Sequence, residues 1–428
     1  MTDKWITACR MLCLAAMVCS SSAGEVRVRV DDDHKFAHPG ILHNRAELEL
    51  IRAHVRAGKE PWASAWQAMK SHDTGHLDWT PKPREHVARG SRNNPNIGGN
   101  DLMDDGQAAY NHAMQWCIAG DRRHAEKCIE ILNAWARELR SVSHSDAPLL
   151  VGMVGVNFAG AAELMRHTYD GWATADQMLF ETMLRRIFYP TIKDFKPTHN
   201  GNWDASMIQT MMAMGVFLDD HAMFNGGADY FMKGRGHGAI TNYVKETGFT
   251  QESGRHQGYA QMGLAYLSFA AEVGWKQGLD LYGSYNNRLA LGYEFTARYG
   301  LGHEVPPGPL HDTITSQGRG TFGHGYERVY NHYHNRRGLE MPYTRQVVMK
   351  ERPEGYDRSH NSWGTLLFAD LSPPSIGSYR TWTHQDGRTF EGRLTKASPG
   401  ALIIHDLDGR SFRIDPRVLI EEDMEYSR

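Results

Sequence analysis

Residues 106–140 read GQAAYNHAMQWCIAGDRRHAEKCIEILNAWARELR. Apolar residues recur at helical spacing on both sides of Gly120-Asp121, so the stretch predicts two helices joined by a tight turn. The same unit returns along the chain. VGVNFAGAAELMRHTY (154–169) precedes TADQMLFETMLRRIFYPTIKDF (174–195). WDASMIQTMMAMGVFLDD (203–220) precedes HAMFNGGADYFMKG (221–234), and GYAQMGLAYLSFAAEVGWKQG (258–278) precedes NRLALGYEFTARYG (287–300). Helix hairpins in series, with little strand signal, predict a mainly α solenoid or closed helical toroid.

Working outward, ILHNRAELELIRAHVRAG (41–58) predicts an amphipathic helix capped by Asn44 and stopped at Gly58. RGSRNNPNIGGNDLMDDG (89–106) reads as one long loop, long enough to suggest a role at a site. The texture changes after SPPSIGSYR: from Tyr379 to Arg428, QDGR and LDGR punctuate short alternating segments. About five short strands forming a small β-barrel or meander are expected there, after a linker at residues 371–378.

The chain has 428 residues, 41% of them hydrophobic and 23% charged, and a net charge of −3. That balance excludes a global attraction to nucleic acid. Residues 1–23 have the form of a cleavable export signal: Lys4 and Arg10, the apolar core MLCLAAMVC, then SSA. A secreted or periplasmic location would follow, with residues 24–370 as the main helical domain. No apolar run of membrane-spanning length is expected beyond the signal. Oligomeric state is left undetermined. Cys117 and Cys128 lie outside the signal, flanking the first hairpin turn; they either pair or stay free thiols.

Three segments concentrate polar groups where apolar ones are expected. PTHNGNWDASMI (197–208) brings His199, Asn200, Asn202, Trp203 and Asp204 to a helix entrance. GFTQESGRHQGYAQMGL (248–264) carries Glu252, Arg255, His256, Gln257 and Tyr259, with Arg255 and Tyr259 on one helix face. GYERVYNHYHNRRG (325–338) carries Tyr326, Glu327, Arg328, Tyr330, His332 and Arg336. Amides, arginine, histidine and tyrosine suit elimination from a uronic acid. The proton beside a carboxylate leaves only when that carboxylate is neutralised, and Tyr or His can then accept it. Tyrosine acts as a base in its phenolate form, which a cation four residues away stabilises.

These motifs, from HPGILHNRAELELI through NGNWDASMIQTMM and ESGRHQGYAQMG to YERVYNHYHNRRGLEMPYT and WGTLLFA, resemble the alginate-lyase-like superfamily. They look most like polysaccharide lyase family 38, which includes glucuronan and alginate lyases. The resemblance covers residues 38–369. It implies an (α/α) toroid of six or seven hairpins and cofactor-independent, metal-independent β-elimination on a uronic-acid polysaccharide. It also implies carboxylate neutralisation by Asn200 or Asn202 with His199 and by Arg255, and proton transfer by Tyr259, with His256 alongside. Substrate contacts are expected from Trp203, Glu252, Gln257, Tyr326, Tyr330, His332, Arg336 and Arg89. Where relatives read E-S-G-R-D-Q-G-H, this chain has His256 and Tyr259 in place of the Asp and the His, which leaves Tyr330 or His332 as alternative bases. The C-terminal segment resembles an SH3-like SLA-type homology domain.

Two rival readings remain at this level. A toroidal glycoside hydrolase would use two opposed carboxylates, for which Glu252, Asp204 and Glu327 are available. A non-catalytic carbohydrate-binding protein would use aromatic stacking alone. No H-E-x-x-H motif or Cys/His ligand set is present.

Overall fold

The computed structural model describes residues 29–306, 313–323, 325–371, 379–398, 401–405 and 411–426. The expected signal at 1–23 lies outside them, as does all but the first residue of the expected linker. The principal helices are α1 (Arg45–Arg56), α2 (Trp62–Ser71), α3 (Gly99–Ala119), α4 (Arg122–Glu138), α5 (Ala147–Thr168) and α6 (Thr174–Met183). They continue with α7 (Tyr189–Ile192), α8 (Gly201–Phe217), α9 (His221–Lys233), α10 (Ile240–Tyr243), α11 (Gln257–Lys276) and α12 (Ser284–Gly300). The last of the toroid are α13 (Tyr326–Tyr330), α14 (Pro342–Glu351) and α15 (Gly364–Phe368).

Local chemistry sets the helix boundaries. Asn44 and Glu47 form a reciprocal capping box at the start of α1, and Gly58 takes a φ of +63° just beyond its end. At the α3–α4 turn Gly120 adopts a φ of +76° and bonds back to Trp116, while the Asp121 carboxylate caps α4 through the Arg123 N–H. One boundary differs from expectation. The polar run NDLMDDG belongs to the first turns of α3, not to a loop. Its Asp105 is buried and satisfied by the Trp79 indole (2.9 Å), the Trp135 indole (2.7 Å) and the Lys82 N–H (2.7 Å). These partners are distant in sequence and override the local loop signal.

Helices α3, α5, α8 and α11 run parallel, side by side. A Cβ added to Gly106 of α3 would stand 2.6 Å from Val154 of α5, and one added to Gly155 of α5 would stand 2.4 Å from Thr210 of α8. Asn202 near the start of α8 meets Met262 near the start of α11. Glycine at these crossings lets the inner helices approach closely. The Gly152 carbonyl accepts from Gln209 and Thr210 across the α5–α8 seam. The inner helices are buried on nearly every face, whereas α4 and α9 alternate buried and accessible positions. Helix α5 is apolar and long enough, by composition, to cross a membrane, contrary to the sequence expectation, but 94% of its most apolar 18-residue window is buried inside the protein. The architecture is an (α/α) toroid with the inner N-termini on one rim.

The opposite rim is closed by residues 30–43. Gln277, just past α11, exchanges hydrogen bonds with the Ala37 backbone and also donates to the Gly40 carbonyl. Nearby, Lys276 and Arg336 each bind both Glu47 and Glu272, at 2.5–3.0 Å, joining α1, α11 and the turn after α13. Burial opposes ionisation of Glu272, yet the Arg336 and Lys276 charges hold its carboxyl well below the usual range.

Two small sheets complete the fold. Strands β1 (His86–Arg89), β2 (Asn96–Ile97) and β3 (Ser141–Ser143) form a sheet in the order β2-β1-β3, so the expected loop after residue 89 is a strand pair at its ends. Among the described residues the C-terminal segment holds a four-stranded antiparallel meander, where about five strands are expected from the sequence: β4 (Tyr379–Thr383), β5 (Thr389–Ser398), β6 (Ala401–His405) and β7 (Ser411–Ile414). It has a core of its own around Trp382, Leu394, Leu402, Ile404 and Leu419. Cys117 and Cys128 are buried free thiols.

Candidate active site

The rim that carries the inner N-termini holds a pocket of about 430 Å³. Its walls come from three segments: the start of α11 (His256, Tyr259, Gln261, Met262), the loop Gly318–Gly323, and Asp357 with His360. Each wall is fastened by buried amides. Gln261 donates to the Thr321 carbonyl (2.9 Å) and accepts from the Gly323 N–H (2.7 Å) and the Tyr326 hydroxyl (3.1 Å). Gln257 donates to the Ser253 and Thr315 carbonyls. Gln107 of α3 donates to the Asp357 and His360 carbonyls.

Tyr259 lines the pocket and is 41% exposed. Its backbone carbonyl, with that of Ala260, accepts from the buried Tyr243 hydroxyl at 3.0 Å, which fixes the first turn of α11. The Arg255 guanidinium lies 4.7 Å from the Tyr259 ring centroid, close enough for a cation–π attraction. Arg255 also donates to Glu252 at 2.5 Å; the Arg side chain is 44% exposed, the Glu side chain not at all. Burial pushes the Glu252 carboxyl up, and Arg255 offsets part of that push. Glu252 therefore orients Arg255 from below and does not line the pocket.

His256 caps α11: its Nδ1 accepts from the Gly258 N–H at 2.9 Å. In the neutral ring this leaves the proton on Nε2, so His256 faces its surroundings as a donor, not as a base. Asn200 precedes α8 and accepts from Gln251 (3.4 Å), while Gln251 accepts from the Gly201 N–H (2.8 Å). The Asn202 amide nitrogen meets the Met262 sulfur, and its carbonyl oxygen is buried without a hydrogen-bond partner. His199 is exposed, its ring 4.6 Å from that of half-buried Trp203. Arg89 ends β1 beside the start of α5, where its backbone carbonyl accepts from the Asp146 N–H. Burial lowers its pKa, and Asp146, then Tyr266, whose ring stacks on His360, counter this in part.

The third polar segment does not join the pocket. Tyr326 is buried behind Gln261. Tyr330 is buried and stacks on His334. His332 is enclosed between Tyr282 and Trp275, and burial holds its pKa well below 6.5. Arg336 is committed to Glu47 and Glu272. Helix α13 and the wider turn after it (Asn331–Arg336) face the interior, so these side chains serve packing and ring closure. That removes Tyr330 and His332 as alternative bases. Gln257 is likewise buried in loop fastening, not in substrate contact. None of the three carboxylates expected for a hydrolase lines the pocket, whose one carboxylate among the described residues is Asp357. Glu327 is buried against Arg352, and Asp204 accepts from the Lys196 N–H and the Tyr230 hydroxyl. Gln261, Met262, Asp357 and His360 carried no sequence signal, because the pocket forms only when the loops at 313–323 and 356–361 fold back.

Residues 58–305 match the family model of alginate lyase. The chain belongs to the alginate lyase family. This family member is a polysaccharide lyase. Alginate lyase A1-III from Sphingomonas species A1 shares the fold, with 18% identity, a TM-score of 0.57, and coverage of 77% of this chain and 97% of that one. A tyrosine-to-phenylalanine variant of that lyase, complexed with a tetrasaccharide, gives 16% identity, a TM-score of 0.59 and the same coverage. No curated protein matches the chain.

Proposed function

We propose that the chain is a secreted lyase that cleaves a uronic-acid polysaccharide, alginate or glucuronan, by β-elimination. The observation that carries this reading is the convergence of Arg255, Tyr259 and His256 with the entrance of α8 on one rim, beside a pocket that among the described residues is lined by one carboxylate, Asp357, and no opposed pair. Inner-helix N-termini favour an anion at that rim. A tetrasaccharide accompanies the Sphingomonas lyase of the same fold, which supports a sugar chain as the occupant.

In this mechanism the substrate carboxylate is neutralised by Arg255 and by amide donors from Asn200 or Asn202, with His199 at the outer edge and His256 donating through Nε2. The Tyr259 phenolate takes the proton from the carbon beside the carboxylate. The electron pair left behind forms the new double bond as the glycosidic bond breaks, and the departing oxygen recovers the proton from the Tyr259 hydroxyl. Arg255 stabilises the enolate-like charge that develops on the substrate during the step. Trp203 and Arg89 extend the contact surface along the polymer.

A panel of purified uronans, followed by ultraviolet absorbance and product mass spectrometry, tests the proposal. Unsaturated products one water lighter than hydrolytic ones are expected from alginate or glucuronan. Saturated products, or none across the panel, would overturn it.

A further inference from the structure

The rim opposite the pocket carries a second group of polar side chains, separate from the elimination chemistry. Glu163 and His167 lie one turn apart near the end of α5, with Glu163 Oε2 and His167 Nε2 3.6 Å apart. His38, from the N-terminal strap, places Nδ1 2.8 Å from Glu163 Oε1 and stacks its ring on that of His167 at 4.4 Å. One ligand atom from each of the three lies within 4.8 Å of the others.

We propose that His38, Glu163 and His167 form a binding site for a divalent cation of the zinc class, which clamps the N-terminal strap to the end of the toroid. Four features support a metal site over an ordinary polar contact. The Glu163 side chain is 1% exposed, yet its Oε2 has no hydrogen-bond partner. A buried carboxylate oxygen left unpaired is costly unless a cation completes it. Its Oε1 is already oriented by the Gly40 N–H at 3.0 Å. The remaining nitrogen of His38, Nε2, lies 3.1 Å from Asp219 Oδ1, the carboxylate–histidine support that metal-bound imidazoles commonly have. Finally, two imidazoles and a carboxylate are the donor set that zinc and its neighbours prefer.

The geometry fits with small movement. Ligands at about 2.0–2.2 Å around a tetrahedral ion stand roughly 3.3–3.5 Å apart, and the Glu163–His167 pair is already near that spacing. His38 would exchange its hydrogen bond with Glu163 for a bond to the ion. The neighbouring cations are otherwise engaged: Arg45 donates to the His167 carbonyl and Arg166 to Glu181. The 17 residues of α8, at about 1.5 Å each, put roughly 25 Å between this rim and the other. The ion is therefore structural and takes no part in elimination.

The test uses the full mature chain without a histidine tag, dialysed against chelator, reloaded with Zn²⁺ and freed of excess metal. Metal analysis should find one equivalent retained per chain, and Co²⁺ in its place should give the visible absorption of a low-coordinate site. Zn²⁺ should also raise the melting temperature. Glu163→Gln and His167→Ala should abolish retention and the thermal shift, and Asp219→Asn should weaken binding roughly tenfold. Because Asp219 is exposed, that variant keeps the test decisive if the buried substitutions unfold. Failure of the native chain to retain metal would overturn the proposal, as would retention unchanged in Asp219→Asn and in every folded ligand variant.

Discussion

Replacing Arg255 by alanine separates the two tasks of that side chain. One guanidinium nitrogen holds buried Glu252 at 2.5 Å, and the side chain as a whole is 44% exposed beside Tyr259. Loss of a donor that neutralises developing charge costs about 10²–10³ in kcat, or about 2.7–4 kcal/mol. Arg255→Lys keeps the charge but lacks the fork that serves a carboxylate on each side, so its expected loss is smaller, about tenfold or about 1.4 kcal/mol. Alanine also leaves Glu252 buried without its partner, and burial already pushes that carboxyl up. An acid held above its unfolded value is protonated in the native state first. The stability of Arg255→Ala should therefore fall as pH rises through the carboxylate range, more steeply than that of the native chain. Initial rates of double-bond absorbance and urea unfolding across pH measure the two effects. A folded Arg255→Ala enzyme with unchanged kcat/KM would refute the role given to this residue.

Other consequences follow from particular contacts. Gln261→Leu frees the Gly323 N–H, the Thr321 carbonyl and the Tyr326 hydroxyl, so KM should rise more than kcat falls in steady-state kinetics. Gly155→Ala places a methyl where Thr210 stands 2.4 Å away and should cost about 1–3 kcal/mol by denaturant titration. Burial, with the neighbouring His124, lowers the His112 pKa from 6.5 to about 3. Below 6.5 the unfolded chain binds a proton that the native chain refuses, so acidification should remove up to about 1.4 kcal/mol per pH unit, levelling near 3. His112→Gln should flatten that slope in unfolding measured across pH.

What the sequence made legible was local. The Asn44 cap, the Gly120-Asp121 turn and the apolar inner helices are encoded within a few residues, and from them the toroid could be expected. The polar start of α3 was misread because Asp105 is satisfied by Trp79 and Trp135, which only the tertiary fold supplies. The candidate site divided in the same way. Arg255, His256 and Tyr259 share one short stretch, the latter two lining one pocket with Arg255 against the Tyr259 ring, whereas Tyr330, His332 and Arg336 form an equally polar stretch that turns inward. Sequence spacing does not record which face of α13 meets the core. His360 and Asp357 enter the pocket through Gln107, some 250 positions away, and no local pattern announces them.

Tyr259→Phe tests the central claim most directly. The substitution keeps the ring beneath Arg255 and removes only the hydroxyl, so uronan binding should persist while the rate of double-bond formation falls by about 10²–10⁴. Turnover at the native rate in the folded variant would contradict the account, since the proton would then travel by another group.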